Sequence, residues 1–207
     1  MASPLVDFEP VLRYLHILAG ITWIGLLYFF NLVNLPLLKF DLKKPFTVDM
    51  TEKATANITL KTLFWFRWGA MLTFILGLLL FEAVREGYAS WSEPQGLMII
   101  MGMAFGTIMW GNVWFVIWPA QQKILTNNKK IAESGDEGGK LAAENAPNLK
   151  KAVLASRTNT WLSIPMLFGM VMGAHGGRYG TEWADWLQPL AVLAALLVGM
   201  IAYSKKN

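Results

Sequence analysis

The chain has 207 residues, of which 55% are hydrophobic and 15% are charged, and its formal net charge is +4. This composition excludes an ordinary soluble domain and is typical of a membrane protein with several transmembrane helices. Because the sequence contains no cysteine, it also excludes disulfides, thiolate metal sites, iron–sulfur clusters and covalently attached c-type haem in this chain.

Five apolar segments are long enough to cross a hydrocarbon core of about 30 Å, which takes roughly 20 residues of helix. They lie near residues 11–38, 59–81, 97–118, 152–176 and 186–203. The polar stretch at 121–151 is predicted to be a mobile loop with a helical turn or two at most. We therefore predict an all-α integral membrane protein in which residues 1–207 form one domain, a five-helix transmembrane bundle.

Lysine is concentrated after the first and third apolar segments and in the C-terminal tail. Segments rich in Lys and Arg usually stay in the cytoplasm. This bias predicts a multi-pass protein of the bacterial inner membrane, with its N-terminus outside and its C-terminus in the cytoplasm.

The two histidines of the chain are predicted to lie in membrane helices at nearly equal depth. His16 precedes Lys39 by 23 residues, roughly 35 Å of helix. His175 follows Lys151 by 24 residues, roughly 36 Å. Ionisable residues within a membrane are costly and usually functional, and two imidazoles at one depth suit the two axial faces of one haem b. Ligation by one histidine, and a purely structural role for both, are the alternatives.

Small and basic residues accompany the two histidines. Gly20 lies one turn from the first, and Gly173 lies close to the second, so both are expected to let a flat macrocycle approach the backbone. Arg13 and Arg178 are expected at the same membrane edge, where they would meet haem propionates. Zinc or copper fits less well, because two histidines without nearby cysteine or acidic residues leave either metal short of ligands.

A second polar layer is predicted near the cytoplasmic face. Arg67 and Arg157 each lie six residues from a lysine at that boundary, and so roughly 9 Å inside it. The same layer contains four asparagines: Asn31, Asn34, Asn112 and Asn159. Three interpretations stay open for the arginines, which are snorkelling or hydrogen bonding to neighbours, binding of an anionic or quinone-like molecule, and docking of a partner subunit.

Three motifs together suggest a family. They are His16-x-x-x-Gly20-x-x-Trp23-Ile24-Gly25, then Trp65-Phe66-Arg67-Trp68, and Ser156-Arg157-x-Asn159-Thr160 followed by Ser163 and Pro165. Over most of the chain, from the first helix to the fourth, the sequence resembles the membrane-integral N-terminal domain of cytochrome-c-linked bacterial urate oxidases. The resemblance implies an inner-membrane protein that handles electrons, with cytochrome c as the acceptor. The chain departs from that family in having no Cys-x-x-Cys-His motif.

These observations lead to one main functional hypothesis and two alternatives. The main hypothesis is a membrane-bound b-type haem protein in electron transfer, with the lipid bilayer and a cytochrome c or larger membrane redox complex as partners. One alternative is a cofactor-free accessory subunit of a respiratory or other membrane complex. The other is an enzyme that acts on a urate-like anion at Arg67 and Arg157. Self-association stays open, and no nucleic acid partner is expected.

Overall fold

The computed structural model describes residues 5–35, 48–85, 91–134, 139–175, 180 and 182–206, and these ranges contain helices and no strand. The helices are α1 (Glu9–Tyr28), α2 (Val48–Val84), α3 (Pro94–Gly111), α4 (Trp118–Ser134), α5 (Lys140–His175) and α6 (Leu187–Lys206). A π-helical segment, Phe29–Asn34, continues α1. A second one, Asn112–Ile117, joins α3 to α4 without a break. The predicted all-α class is therefore confirmed.

Four helical stretches in the described ranges are long and apolar enough to cross a membrane: Val6–Asn34, Lys61–Val84, Pro94–Ile131 and Trp183–Ala202. They correspond to four of the five predicted apolar segments. Helix α5 is not among them, because polar residues such as Arg157 and Asn159 lower its hydropathy. Membrane insertion and the orientation of the chain stay predictions.

Helix α5 occupies the middle of the fold, and its buried face consists largely of small and polar residues. Close approach of two backbones is possible only where side chains are small. A Cβ added to Gly169 would lie 2.5 Å from Met98 O and 2.9 Å from Gly102 N. Glycine at this position therefore lets α5 and α3 pack with their backbones in contact.

Helices α1 and α2 form an antiparallel pair, which a second close approach holds together. A Cβ on Gly69 would lie 3.3 Å from Trp23 N. The pair contributes to a continuous buried core, made of Trp23, Ile24, Leu27, Phe66, Ala70, Met109, Val113, Ile117 and Met166. This core connects α1 and α2 to the second π-helical segment and to α5. Helix α6 lies at the edge, where the buried Trp186 donates from Nε1 to Gly180 O at 3.2 Å.

The predicted mobile loop at 121–151 is wrong, because α4 continues to Ser134 and α5 begins at Lys140. The two helix ends form an antiparallel hairpin. Buried Asn127 donates from Nδ2 to Asn145 Oδ1 at 3.1 Å, and Asn145 Nδ2 donates to Asn128 Oδ1 at 2.8 Å. Of the run that indicated a loop, Glu133 and Ser134 belong to α4 and residues 135–138 lie outside the described ranges, whereas the flanking sequence on both sides is helical.

Candidate functional site

His16 is partly buried and faces α2. Its Nδ1 lies 2.9 Å from Thr73 O. A carbonyl oxygen only accepts, so Nδ1 carries the proton, and Nε2 of the neutral ring keeps its lone pair. Metal-bound histidines typically donate their other nitrogen to a carbonyl or carboxylate in this way.

Glycine makes room for the ring of His16. A Cβ on Gly77 would lie 3.0 Å from His16 Cε1 and 3.3 Å from His16 Nδ1. Sequence reasoning missed both Thr73 and Gly77. A glycine inside an apolar helix, four residues after a threonine, was the available signal, since such glycines usually have a packing or functional reason.

His175 is exposed at the last position of α5. The register between α1 and α5 can be read from the hydrogen bond of 2.8 Å that joins Tyr28 OH and Ser163 Oγ. His16 precedes Tyr28 by twelve residues and His175 follows Ser163 by twelve. Because the two helices run antiparallel, both histidines lie on the same side of that bond, each about 18 Å along its helix. Arg178 lies outside the described residues.

The small and basic neighbours of the histidines have other partners than those expected. The space beside Gly173 is filled by Ile99, whose Cγ1 would be 2.3 Å from an added Cβ, so the expectation that Gly173 borders a macrocycle is wrong. A Cβ on Gly20 would meet Thr73 Cγ2 at 3.8 Å, which places Gly20 against α2. Arg13 forms an ion pair with Glu9, one turn earlier in α1.

In the part of the chain that the structure describes, no group of three or more His, Cys, Asp and Glu side chains could hold a metal ion. The two histidines are therefore the available nitrogen ligands, without a third donor beside them. Zinc or copper sites commonly need more protein donors than two, whereas haem iron needs only its axial positions filled.

Hydrogen bonds along α5 form a buried polar seam. Asn31 Nδ2 donates to Ser156 Oγ at 2.8 Å. Asn112 Nδ2 donates to Asn159 Oδ1 at 2.8 Å, and Asn159 Nδ2 donates to Met109 O at 2.9 Å. Three of the four asparagines of the predicted layer thus contact α5 or belong to it. The side chain of Asn34 forms no hydrogen bond with another described residue.

Both π-helical segments lie at the level of this seam. The first contains Asn31 and the second contains Asn112, and each of these side chains bonds to α5. A π-helical turn inserts an extra residue into a helix and often occurs at functional sites. Asn31 Oδ1 is buried and has no hydrogen-bond partner among the described residues.

Arg67 lies among three tryptophans instead of reaching a carboxylate. Its Cζ is 3.5 Å from the centroid of the Trp118 ring, 5.6 Å from that of Trp114 and 5.7 Å from that of Trp68. Its Nε is buried without a hydrogen-bond partner in the described ranges, as is Trp114 Nε1. Stacking on an indole uses the flat face of a guanidinium and leaves its N–H edges available for a planar anion.

Sequence reasoning placed Arg67 at this level but missed its tryptophan cage. Tryptophans at positions 110, 114 and 118 recur every four residues, which indicates one helical face and was the available signal. Arg157 is partly buried on α5, and its guanidinium forms no hydrogen bond or ion pair with another described residue. The structure therefore shows a cage around one of the two predicted arginines.

Comparison with known proteins gives one match. A family model described as "Urate oxidase N-terminal" matches residues 83–205, from the end of α2 into α6. His175 and the α5 motif fall within the match, whereas His16 and the first-helix motif precede it. Neither a curated protein nor a solved structure matches the chain. Since the match covers more than half of the chain and agrees with the predicted resemblance, the chain belongs to the urate oxidase N-terminal family.

Proposed function

We propose that the chain is a membrane-bound b-type haem protein in electron transfer, with His16 and His175 as the axial ligands of one haem b. The proposal rests on one observation, the hydrogen bond between His16 Nδ1 and Thr73 O. That bond fixes the tautomer in which Nε2 is free to bind iron. It also fixes the ring plane, because Thr73 belongs to the neighbouring helix.

The remaining support comes from register and from the donor set. His16 and His175 lie at similar levels of two antiparallel helices, as the Tyr28–Ser163 bond indicates. Two imidazoles without a third donor suit an axial pair better than a zinc or copper site. When bound, haem b supplies one-electron redox chemistry. In this scheme the histidines would hold the iron, and Arg13 would have to exchange its ion pair with Glu9 for one with a propionate. A propionate contact of Arg178 stays a prediction.

The setting of this activity is part of the proposal. We place the protein in the bacterial inner membrane with both histidines near the outer face. There it would pass electrons to a cytochrome c or to a larger membrane redox complex. Family membership supports a relation to urate oxidase, whose N-terminal region gives the family its description.

A dithionite-reduced minus oxidised visible spectrum, with pyridine haemochrome quantification, tests the proposal on protein purified from haem-replete cells. We expect about one haem b per chain in the wild type, since one axial pair is available. His16→Ala and His175→Ala should each remove the low-spin b-type spectrum. Thr107→Ala is the matched control, because Thr107 is exposed and bonds only within its own helix.

Two results would reject haem ligation. One is an unchanged spectrum in both histidine variants. The other is intact wild-type protein that contains no haem, which would favour the cofactor-free accessory subunit. Co-purification with partner subunits would then be the next measurement.

A second candidate function is an enzyme that acts on a urate-like anion near Arg67. The specific observation is that its guanidinium stacks on Trp118 and donates to no acceptor in the described part of the chain. A planar anion would accept from the free N–H edge. Equilibrium dialysis with labelled urate should show binding that is lost in Arg67→Gln and kept in Arg85→Gln, since Arg85 is exposed and paired with Glu82. Binding that survives in Arg67→Gln would rule out this site.

A further inference from the structure

A groove of about 330 Å³ lies between α1 and α2, on the side of the pair that faces away from the core. Its lining is Ile21, Thr22, Gly25, Leu26, Lys61, Thr62 and Trp65. Ile21 is 64% exposed and Trp65 is 59% exposed, so the two walls of the groove are large side chains that project from the protein surface. The surface between α1 and α2 is therefore concave. In most lipid-facing helix pairs, side chains of the two helices fill the corresponding space.

Gly25 leaves the groove open at its position on α1. Among the described residues, a Cβ added there would meet no atom within 4 Å. Other glycines of the same helix pair behave differently, because a Cβ on Gly69 or Gly77 would press against the neighbouring helix at 3.3 Å or 3.0 Å. Glycine is a poor helix former. No close contact between Gly25 and a described residue of another helix explains why glycine occurs at this position. The space beside it suits a chain from outside the protein.

A single cation marks one end of the groove. Lys61 is exposed and forms no ion pair with another described residue. It is also the last lysine before the apolar part of α2, so in a membrane it would lie near headgroup level. Thr22 Oγ1 donates to Leu18 O at 3.2 Å, which leaves the hydroxyl oxygen free to accept a hydrogen bond. An apolar groove with a lysine at one end matches the chemistry of an anionic lipid, which has apolar acyl chains and a negatively charged headgroup.

We propose that this groove binds one phospholipid with an anionic headgroup. An acyl chain would lie along Ile21, Gly25 and Leu26, and the headgroup phosphate would pair with Lys61. The lysine-rich segment that precedes Lys61 predicts that this end faces the cytoplasmic leaflet, which is rich in anionic lipid. The site is separate from both histidines and does not depend on haem.

Native mass spectrometry of the full chain, titrated with phosphatidylglycerol and with phosphatidylcholine of identical acyl chains, tests the proposal. We expect one phosphatidylglycerol to be retained per chain, and to be retained more tightly than phosphatidylcholine. Lys61→Gln should weaken phosphatidylglycerol binding about fivefold, because one surface lysine contributes on this scale. It should weaken phosphatidylcholine binding less, because the choline cation of that headgroup cancels the charge of its phosphate. Gly25→Leu should remove binding of both lipids by filling the groove.

Matched controls are available for both changes. Gly199→Leu also adds a side chain at a glycine with no atom within 4 Å, but on α6, and Lys123→Gln removes an exposed lysine of α4. Both controls should bind phosphatidylglycerol like the wild type. If Gly25→Leu fails to fold, Lys61→Gln still decides the matter through headgroup preference. The proposal would be overturned if the wild type retained the two lipids equally, or if phosphatidylglycerol binding were unchanged in Lys61→Gln. It would also be overturned if the retained ligand had the mass of an isoprenoid quinone.

Discussion

Gly169→Ala should force α3 and α5 apart at their closest contact. The new Cβ would lie 2.5 Å from Met98 O, whereas ordinary van der Waals contact begins at 3.4 Å. It would also lie 2.9 Å from Gly102 N. Both neighbours are backbone atoms and cannot rotate away, so the two helices must separate by about 0.9 Å at this point.

The free energy of this separation can be estimated from packing. A gap of 0.5 to 1 Å loses about a quarter to a half of each van der Waals contact along the interface. Overpacking of this kind usually costs about 1–3 kcal/mol. Alanine regains somewhat less than 1 kcal/mol through its better helix propensity. We therefore expect the free energy of unfolding to fall by up to about 2 kcal/mol, and to lie about 1–3 kcal/mol below that of a glycine-to-alanine variant without the clash.

Unfolding of the purified protein by SDS in mixed micelles, followed by tryptophan fluorescence, measures this change. Gly106→Ala is the control, because it introduces the same methyl group on α3 but meets Met166 Cγ at an ordinary 3.9 Å. It should raise the free energy of unfolding by somewhat less than about 1 kcal/mol, through the same gain in helix propensity. If Gly169→Ala is as stable as Gly106→Ala, the close backbone contact between α3 and α5 is refuted.

Two further predictions concern hydrogen bonds between helices. Asn112→Ala and Asn159→Ala should show a coupling of about 0.6 kcal/mol in a double-mutant cycle, the average for such bonds in membranes, and zero coupling would contradict the bond between them. Asn127→Ala should raise the rate of limited trypsin cleavage within 121–151 about fivefold, because the hairpin loses the buried amide that joins its helices. Asn148→Ala should leave that rate unchanged, since Asn148 bonds within its own helix, and equal rates in the two variants would contradict the hairpin.

The helices of this fold could be predicted from the sequence because long apolar segments indicate them directly. Four segments appear where the hydropathy placed them. The loop predicted at 121–151 is wrong for a local reason, because a few glycines and acidic residues near the middle of the stretch do not determine the structure of the residues on either side. The helical hairpin depends on amides that meet between its two helices, such as Asn127 and Asn145, and single-residue composition does not contain such pairings.

The candidate site was harder to predict because its geometry depends on partners far away in sequence. His16 was recognisable as an unusual residue in an apolar helix, but its tautomer depends on Thr73 O, 57 residues away. The α5 motif was also recognisable, yet Ser156 acquires its role only through Asn31, 125 residues earlier. Gly173 shows the opposite error, because small size indicated a cofactor where the structure places Ile99.

Some buried polar groups of the bundle are hydrogen-bonded and others have no partner among the described residues. The first class is explained by structure, and the second contains the candidates for ligand binding. Asn159 and Ser163 of α5 are fully buried and hydrogen-bonded, so interhelical packing explains them without a ligand. Arg67 Nε, Trp114 Nε1 and Asn31 Oδ1 are buried and have no partner in the described ranges. A buried group without a partner costs about 1–3 kcal/mol, which stacking on Trp118 offsets only in part. Since packing alone does not recover that free energy, the layer around Arg67 is where a ligand would add most to the stability of the bundle.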